Sequence, residues 1–365
     1  MEKKVVEKVL DEIDYEFSRS APPETFPNLP RIPAERYLDQ KQFEAELEIF
    51  KTSWLIAGTT NEFREVGSYK VMDRWGGASV VLVKGEDELI RAFWNVCQHR
   101  GGPVVEGEGG KLSSPNMRCL IHSWVYDLEG NLKGVPGRRD FHDDMDESCM
   151  SLKAVCCEIW QGFVWVNLDP EAMSLKDWFG LLYDEVTWFE GLRASSHGSL
   201  ILDCNWKVAI EANIEVYHIT TVHPTTVSQS LDYRGSAHQL LGNGHSRMVV
   251  PNKGYDAAAA RESVDASDPP VHGLMEHANV SYLLFPNHLT PGQKRGDGPP
   301  SITLQLFWPL GIDRTLSEWY TMVPDWGEGD PPAVNEEGVL YYGVIMDEDT
   351  EMLDQIQNAM KTQVL

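Results

Sequence analysis

The chain has 365 residues, 42% hydrophobic, 24% charged and 10% aromatic, a composition that excludes disordered and fibrous classes and leaves room for two domains. Its net charge of −25, from 31 basic and 56 acidic side chains, argues against nucleic acid as a partner, because phosphate binding needs a basic surface. That charge serves solubility and suits a docking face for a complementary redox partner.

In chain order, Val5, Val6, Val9, Leu10 and Ile13 recur at helical spacing until Pro22-Pro23 ends the pattern, which predicts an amphipathic helix and a candidate oligomer contact over residues 1–20. No apolar segment follows Met1-Glu2-Lys3-Lys4 and no run approaches the length of a membrane span, so a cytoplasmic protein without a signal peptide or membrane contact is expected. Pro27, Pro30 and Pro33 predict an extended segment, and Gln42, Phe43, Leu47 and Phe50 a second helix over about 39–51. From Trp54 to Leu168 the pattern changes to short β-type runs (79–83, 90–96, 162–167) separated by Gly76-Gly77, Gly101-Gly102 and Gly109-Gly110, the mark of a small all-β domain. Residues 171–193 read as helical, and 225–277 as long loops and short helices. Strands of an antiparallel sheet are expected at 282–285, 302–308 and 319–323, then a helix from about Val334 to Thr362.

Of six cysteines, Cys149, Cys156, Cys157 and Cys204 read as small buried apolar residues. The other two stand beside histidines. Cys97-Gln98-His99 and Cys119-Leu120-Ile121-His122 fall at turns between strands. Two thiolates and two imidazoles could hold a tetrahedral zinc. One-residue spacing in Cys-x-His is tight for that, and suits instead a two-iron, two-sulfide cluster with cysteines on one iron and histidines on the other.

Cys97-Gln98-His99-Arg100-Gly101 with Cys119-Leu120-Ile121-His122-Ser123-Trp124 resembles the cluster motif of Rieske-type proteins. The resemblance implies a [2Fe-2S] centre in a β-sandwich domain, with Arg100 and Trp124 around the ligands. Gln98 and Leu120 stand where proline is common, and Ser123 where glycine is usual.

A second group lies in residues 205–224, where His218 and His223 are five apart. Five residues on an ideal helix turn roughly 500°, so both imidazoles meet one ion only if the helix loosens near His218; Pro224 marks a break. Two buried, hydrogen-bonded histidines at a helix end is the plain alternative. With a carboxylate, two histidines make the facial triad of a non-haem Fe(II) site. Glu211 and Glu215 are near; Glu215, one turn before His218, can hold an imidazole rather than ligate.

The whole chain from about residue 27 resembles the α subunits of Rieske non-haem iron, ring-hydroxylating oxygenases, through Asn205-Trp206-Lys207, Glu215-x-Tyr217-His218 and His223-Pro224. The resemblance implies an α+β fold: a small all-β Rieske domain (52–168) inserted into a helix-grip-like catalytic domain (169–365), with an antiparallel sheet flanked by helices and helices 1–51 belonging to it. It implies that Asp349, in Glu348-Asp349 followed by Gln357, is the third iron ligand, over Asp347 and Asp354. It implies that Glu215 bridges the iron site to the cluster of a neighbouring subunit, with Asn213 and Tyr217 close by. Aspartate is commoner at Glu215, and asparagine at Ala212. Expected cofactors are the [2Fe-2S] cluster and Fe(II), with O2 and electrons from NAD(P)H through a flavin reductase or ferredoxin. A homotrimer, α3 or α3β3, is expected. The substrate reads as an apolar or aromatic small molecule, hydroxylated or demethylated; Leu240, Leu241, Tyr282, Leu284, Phe285, His288, Leu304 and Leu306 could line its pocket, but such residues fill a core as easily, and core is the preferred reading for each. The alternatives are a carnitine- or choline-type quaternary-ammonium monooxygenase, an electron-transfer iron–sulfur protein and a zinc-stabilised binding protein.

Overall fold

The runs of β-branched residues between glycine turns pair locally, and the structure, a computed structural model, shows how. It describes residues 1–24, 31–75, 77–142, 145–186, 189, 191–290, 292–293, 301–329 and 336–362; Pro27, Pro30, Gly76 and the helix start expected at Val334 lie outside these. The chain divides into two units, Leu47–Trp178 and Met1–Glu46 with Phe179–Leu365.

In the first unit, β1 (Leu55–Thr59), β2 (Ser68–Met72), β3 (Val80–Lys84), β4 (Ile90–Trp94), β5 (Gly109–Lys111), β9 (Ala154–Trp160) and β10 (Phe163–Asn167) form a sheet in the order β1-β10-β9-β4-β3-β2-β5. A three-stranded sheet joins β6 (Asn116–Arg118), β7 (Val125–Asp127) and β8 (Leu132–Gly134). Val81, Val83 and Phe93 from the large sheet share a buried core with Met117, Tyr126 and Leu132 from the small one. That core is the filling of a two-layer β-structure, and Cys97 and Cys119 belong to it.

The second unit opens with α1 (Lys3–Ser18), α2 (Glu35–Leu38) and the start of α3 (Gln40–Lys51). Val6, Val9, Leu10 and Ile13 of α1 are fully buried, each stabilising by about 1.5–3 kcal/mol. In the stretch 171–193 expected to be helical, the described residues hold α4 (Leu175–Phe179) and α5 (Leu181–Glu185), and β11 (Leu192–Leu202) begins at its end. After α6 (Trp206–Asn213) and α7 (Ile219–Val222) come β12 (Ala237–Leu240), β13 (Ser246–Pro251), α8 (Ala257–Ala266), α9 (Pro270–His277), β14 (Ala278–Leu284), β15 (His288–Leu289), β16 (Gly292–Gln293), β17 (Ser301–Gly311), β18 (Arg314–Pro324) and α10 (Glu336–Met360). The strands make one antiparallel sheet, β11-β18-β17-β15-β14-β13-β12, with β16 beside β14 and β17. Strands β12 and β13 thus replace part of the loop expected at 225–277. No described helix is long and apolar enough to cross a membrane.

Register decides what each sheet face carries, because successive side chains alternate. Met248 and Val250 pack with Val216 and Ile219, and Gln305 Nε2 lies 3.7 Å from Met346 Sδ on α10. The pairings Met248↔Ser281, Leu283↔Leu289 and Leu289↔Gln305 put these residues on one face. The histidine segment and α10 therefore cover the same face. On the other, Arg247 forms a buried ion pair with Glu185.

Candidate metal centres

The first cluster loop is closed by Asn95, whose Oδ1 accepts from Val104 N at 2.9 Å and Val105 N at 3.1 Å. Inside it, Cys97 N donates to Gly102 O (2.8 Å) and Gly101 N to Cys97 O (2.9 Å). The second loop joins β6 to β7: Cys119 N donates to Trp124 O (2.9 Å) and Ser123 N to Cys119 O (3.0 Å). Ser123 holds φ +58°, which explains why glycine is usual there. Leu120 N donates to Pro103 O (3.1 Å) and ties the loops together. A Cβ on Gly102 would stand 2.5 Å from Ile121 Cγ1 and 3.2 Å from Cys119 Sγ, so a side chain there would require Ile121 to move aside.

Cys97 and Cys119 are buried, and the His99 and His122 rings sit 4.6 Å apart. Trp124 stacks on His99 at 4.8 Å, whereas Arg100 is exposed. His99 Nδ1 is buried without a hydrogen-bond partner, as befits a metal donor. Among the described residues, one group of three donors lies within 4.8 Å of one another, and it is not drawn from these four. Separate cysteine and histidine pairs fit a two-iron cluster better than one tetrahedral zinc. Burial pushes the Cys97 thiol up, against a hydrogen bond with Tyr126 and with Cys119 adding to the rise. Tyr126 Oη is 3.2 Å from Cys97 Sγ and accepts from Gln98 N at 3.2 Å. Burial, then Cys97, raises the Tyr126 phenol, so it stays protonated and can donate to a thiolate.

The second group begins with an anchored helix. Asn205 caps α6 by accepting from Lys207 N at 3.0 Å, and its own N donates to Gln357 Oε1 on α10 at 2.9 Å. Lys207 Nζ reaches both oxygens of buried Glu46 at 2.7 and 2.6 Å, and Trp206 Nε1 donates to Glu46 Oε2 at 2.9 Å. The Asn-Trp-Lys motif is therefore a fastening. Glu211 accepts from Tyr37 Oη at 2.6 Å and is not among the donors that converge. Helix α6 ends at Asn213, whose Nδ2 donates back to Ala209 O at 2.9 Å. The break expected near His218 thus comes five residues upstream of it, and His218 and His223 flank the separate turn α7.

His218, His223 and Asp349 form the converging group, with donor atoms within 4.8 Å of one another. Asp349 Oδ1 is 2.9 Å from His223 Nε2 and 4.0 Å from His218 Nε2. Behind the histidines, His218 Nδ1 donates to Glu215 Oε1, and Tyr217 N donates to Glu215 Oε2. His223 Nδ1 is held by Glu348 Oε2 at 2.7 Å. Burial works to lower the His223 imidazole, but Asp349 and Glu348 outweigh it and raise it. Burial works to raise the Glu215 carboxyl, but His218 and nearby N–H donors lower it. Two imidazoles and one carboxylate meeting at a point is the donor set of a non-haem Fe(II) site.

The Tyr217 ring is 80% exposed and stands edge-on to Tyr233 at 5.9 Å. Tyr126, Glu348 and Gln357 have roles that residue spacing alone did not reveal; adjacency of Glu348 to Asp349 was the available signal. The substrate-lining candidates fare differently. Tyr282, Leu284, His288, Leu304 and Leu306 lie by register on the sheet face opposite the metal group. His288 is fully buried there, its imidazole pushed down to about 3 by burial and by His245. Leu240 is 92% exposed. Cys149, expected inside, is exposed.

The profile of the ring hydroxylating α-subunit catalytic domain matches residues 186–365, and that of the Rieske [2Fe-2S] domain matches 53–151. The carnitine monooxygenase oxygenase subunit of Escherichia coli K12 is 33% identical over 241 residues, 65% of this chain and 63% of that protein. The glycine betaine monooxygenase oxygenase subunit of Chromohalobacter salexigens is 30% identical over 205 residues, 55% of this chain and 45% of that protein. The match thus spans less than two thirds of these relatives' length. The crystal structure of naphthalene 1,2-dioxygenase from Rhodococcus sp. bound to indole shares the fold, with TM-score 0.74, 22% identity, and coverage of 98% of this chain and 86% of that one.

Proposed function

Since this chain belongs to the Rieske-type, ring-hydroxylating α-subunit family, we propose that it is the terminal oxygenase of an electron-transfer system that hydroxylates a small organic molecule. The observation that carries this reading is the convergence of His218, His223 and Asp349 in a chain that also holds the Cys97, His99, Cys119 and His122 loops. Residues 52–168 serve as the electron-accepting domain, and 169–365 with 1–51 as the catalytic domain. Electrons come from NAD(P)H through a flavin reductase or ferredoxin in the cytoplasm, and the assembly is a homotrimer, with or without a β subunit.

A cluster held by the first four residues supplies electrons, and an iron held by the triad supplies O2 activation. The chain's part is orientation and charge. Glu215 fixes the His218 imidazole and connects it to the neighbouring subunit's cluster. Tyr126 donates to Cys97 Sγ and stabilises added negative charge at sulfur. Replacing Tyr126 with phenylalanine is expected to lower the cluster potential by up to about 65–130 mV, since such a bond is worth about 1.5–3 kcal/mol and a one-electron couple moves about 59 mV per tenfold change. Protein-film voltammetry reads this directly, and an unchanged potential would show that the phenol plays no electronic part.

A second substrate reading, a quaternary-ammonium monooxygenase, is favoured by the 30–33% identity to the carnitine and glycine betaine enzymes. The sheet face under the triad also mixes Gln305, Ser281 and Phe307, all buried, which suits a polar, methylated molecule better than a naphthalene-like one. The test is reconstitution with a reductase and O2, profiling products from trimethylammonium carboxylates and from aromatics. Iron analysis accompanies it: three irons per chain are expected, and two would leave an electron-transfer protein.

A further inference from the structure

We infer that Glu348 is a positioning residue for the mononuclear metal site: it fixes which nitrogen of His223 faces the ion. The inference rests on the reading of His218, His223 and Asp349 as that site. A carboxylate only accepts hydrogen bonds, so the 2.7 Å contact places the proton of His223 on Nδ1. Nε2 is the edge turned toward Asp349, 2.9 Å away, and is the nitrogen that an ion held by Asp349 would meet. Thr226 Oγ1 donates to the same Glu348 oxygen at 2.7 Å and holds the carboxylate in place. Thr226 itself is buried, and its N donates to His223 O at 3.3 Å. Ring, carboxylate and hydroxyl form one closed set.

Consecutive residues of α10 therefore take the two edges of one imidazole, Asp349 at Nε2 and Glu348 at Nδ1. They lie about 100° apart around the helix, enough to straddle a ring wedged beside it. His218 is held the same way by Glu215, from its own segment. Each histidine thus has a glutamate behind it, which orients the ring and raises its basicity as a donor. Glu348 adds a coupling that Glu215 lacks: whatever moves α10 moves the Asp349 donor and the His223 support together.

The experiment is anaerobic equilibrium dialysis of Fe(II) into cluster-intact protein stripped of its mononuclear iron, for wild type, Glu348→Ala and Glu348→Gln. Glu348→Ala is expected to raise the apparent dissociation constant about 10–100-fold. Glu348→Gln, whose amide oxygen can still accept from Nδ1, is expected to recover most of that loss. The iron-induced rise in melting temperature should shrink in Glu348→Ala while the iron-free melting temperature holds. Equal iron affinity in wild type and Glu348→Ala overturns the inference, as does an equal loss of stability with and without iron, which marks a purely structural contact. Wild-type protein that takes up no iron beyond its cluster overturns the metal site itself, and that result is distinct from the other two.

Discussion

Asp349→Ala is expected to leave the two cluster irons in place and to remove the third, with turnover falling at least about 10³-fold, since metal catalysis contributes several kcal/mol and each 1.36 kcal/mol is a factor of ten. Asp349 is the single carboxylate in the converging group, with one oxygen 2.9 Å from His223 Nε2 and 4.0 Å from His218 Nε2. Two imidazoles alone hold a ferrous ion poorly, and the carboxylate completes the facial triad and offsets part of the ion's charge. The neighbouring acids make good controls. Asp347 is exposed on α10, and Asp354 lies beside Cys204. Asp347→Ala should keep three irons per chain and wild-type turnover. Metal analysis, cluster absorbance and O2 consumption on the same preparations separate the outcomes: three irons in Asp349→Ala would mean that another residue is the ligand.

The parts of this protein that were legible in the sequence are those where chemistry dictates residue type. Cys97, His99, Cys119 and His122 stand out as a candidate ligand set because ligation demands thiolates and imidazoles on tight turns. His218 and His223 could be read as a pair, but five-residue spacing did not say how they meet; that needed the end of α6 at Asn213 and the separate turn α7. Strand β11 was illegible because its residues, Leu192–Leu202, are mostly small or polar and become a strand by pairing along β18. Gly198 shows why: a Cβ there would meet the Trp319 ring at 2.3 Å, a constraint written on another strand. Which residues face the metal group was not legible for a related reason. Alternation along a strand was visible, but which set of alternates faces the metal is fixed by pairings such as Met248↔Ser281 and His288↔Leu306, and a one-residue change of register exchanges the faces.

The second large effect concerns the fastening of the histidine segment. Lys207→Met is expected to destabilise the protein by about 3–5 kcal/mol, because it strands a buried carboxylate. The side chains of Lys207 and Glu46 are 7% and 6% exposed and meet at 2.6 Å. Burial lowers the Lys207 pKa even though Glu46 pulls it up, so desolvation is the dominant cost and the partner is what keeps the ammonium charged. After Lys207→Met, among the described residues Glu46 keeps only the Trp206 Nε1 hydrogen bond and must either protonate or draw in water. Both outcomes loosen the start of α6, and with it Asn205, which links α6 to Gln357 on α10. Iron retention should therefore fall along with the urea midpoint, although Lys207 touches no metal donor. The double variant Lys207→Met with Glu46→Leu decides between two causes. If the stranded charge is responsible, removing it should restore most of the lost stability, because a buried ion pair replaced by packed apolar side chains is often neutral. If the double variant is as unstable as the single one, the Trp206 hydrogen bond is what fastens the segment, and Glu46 matters as its acceptor rather than as a counter-ion.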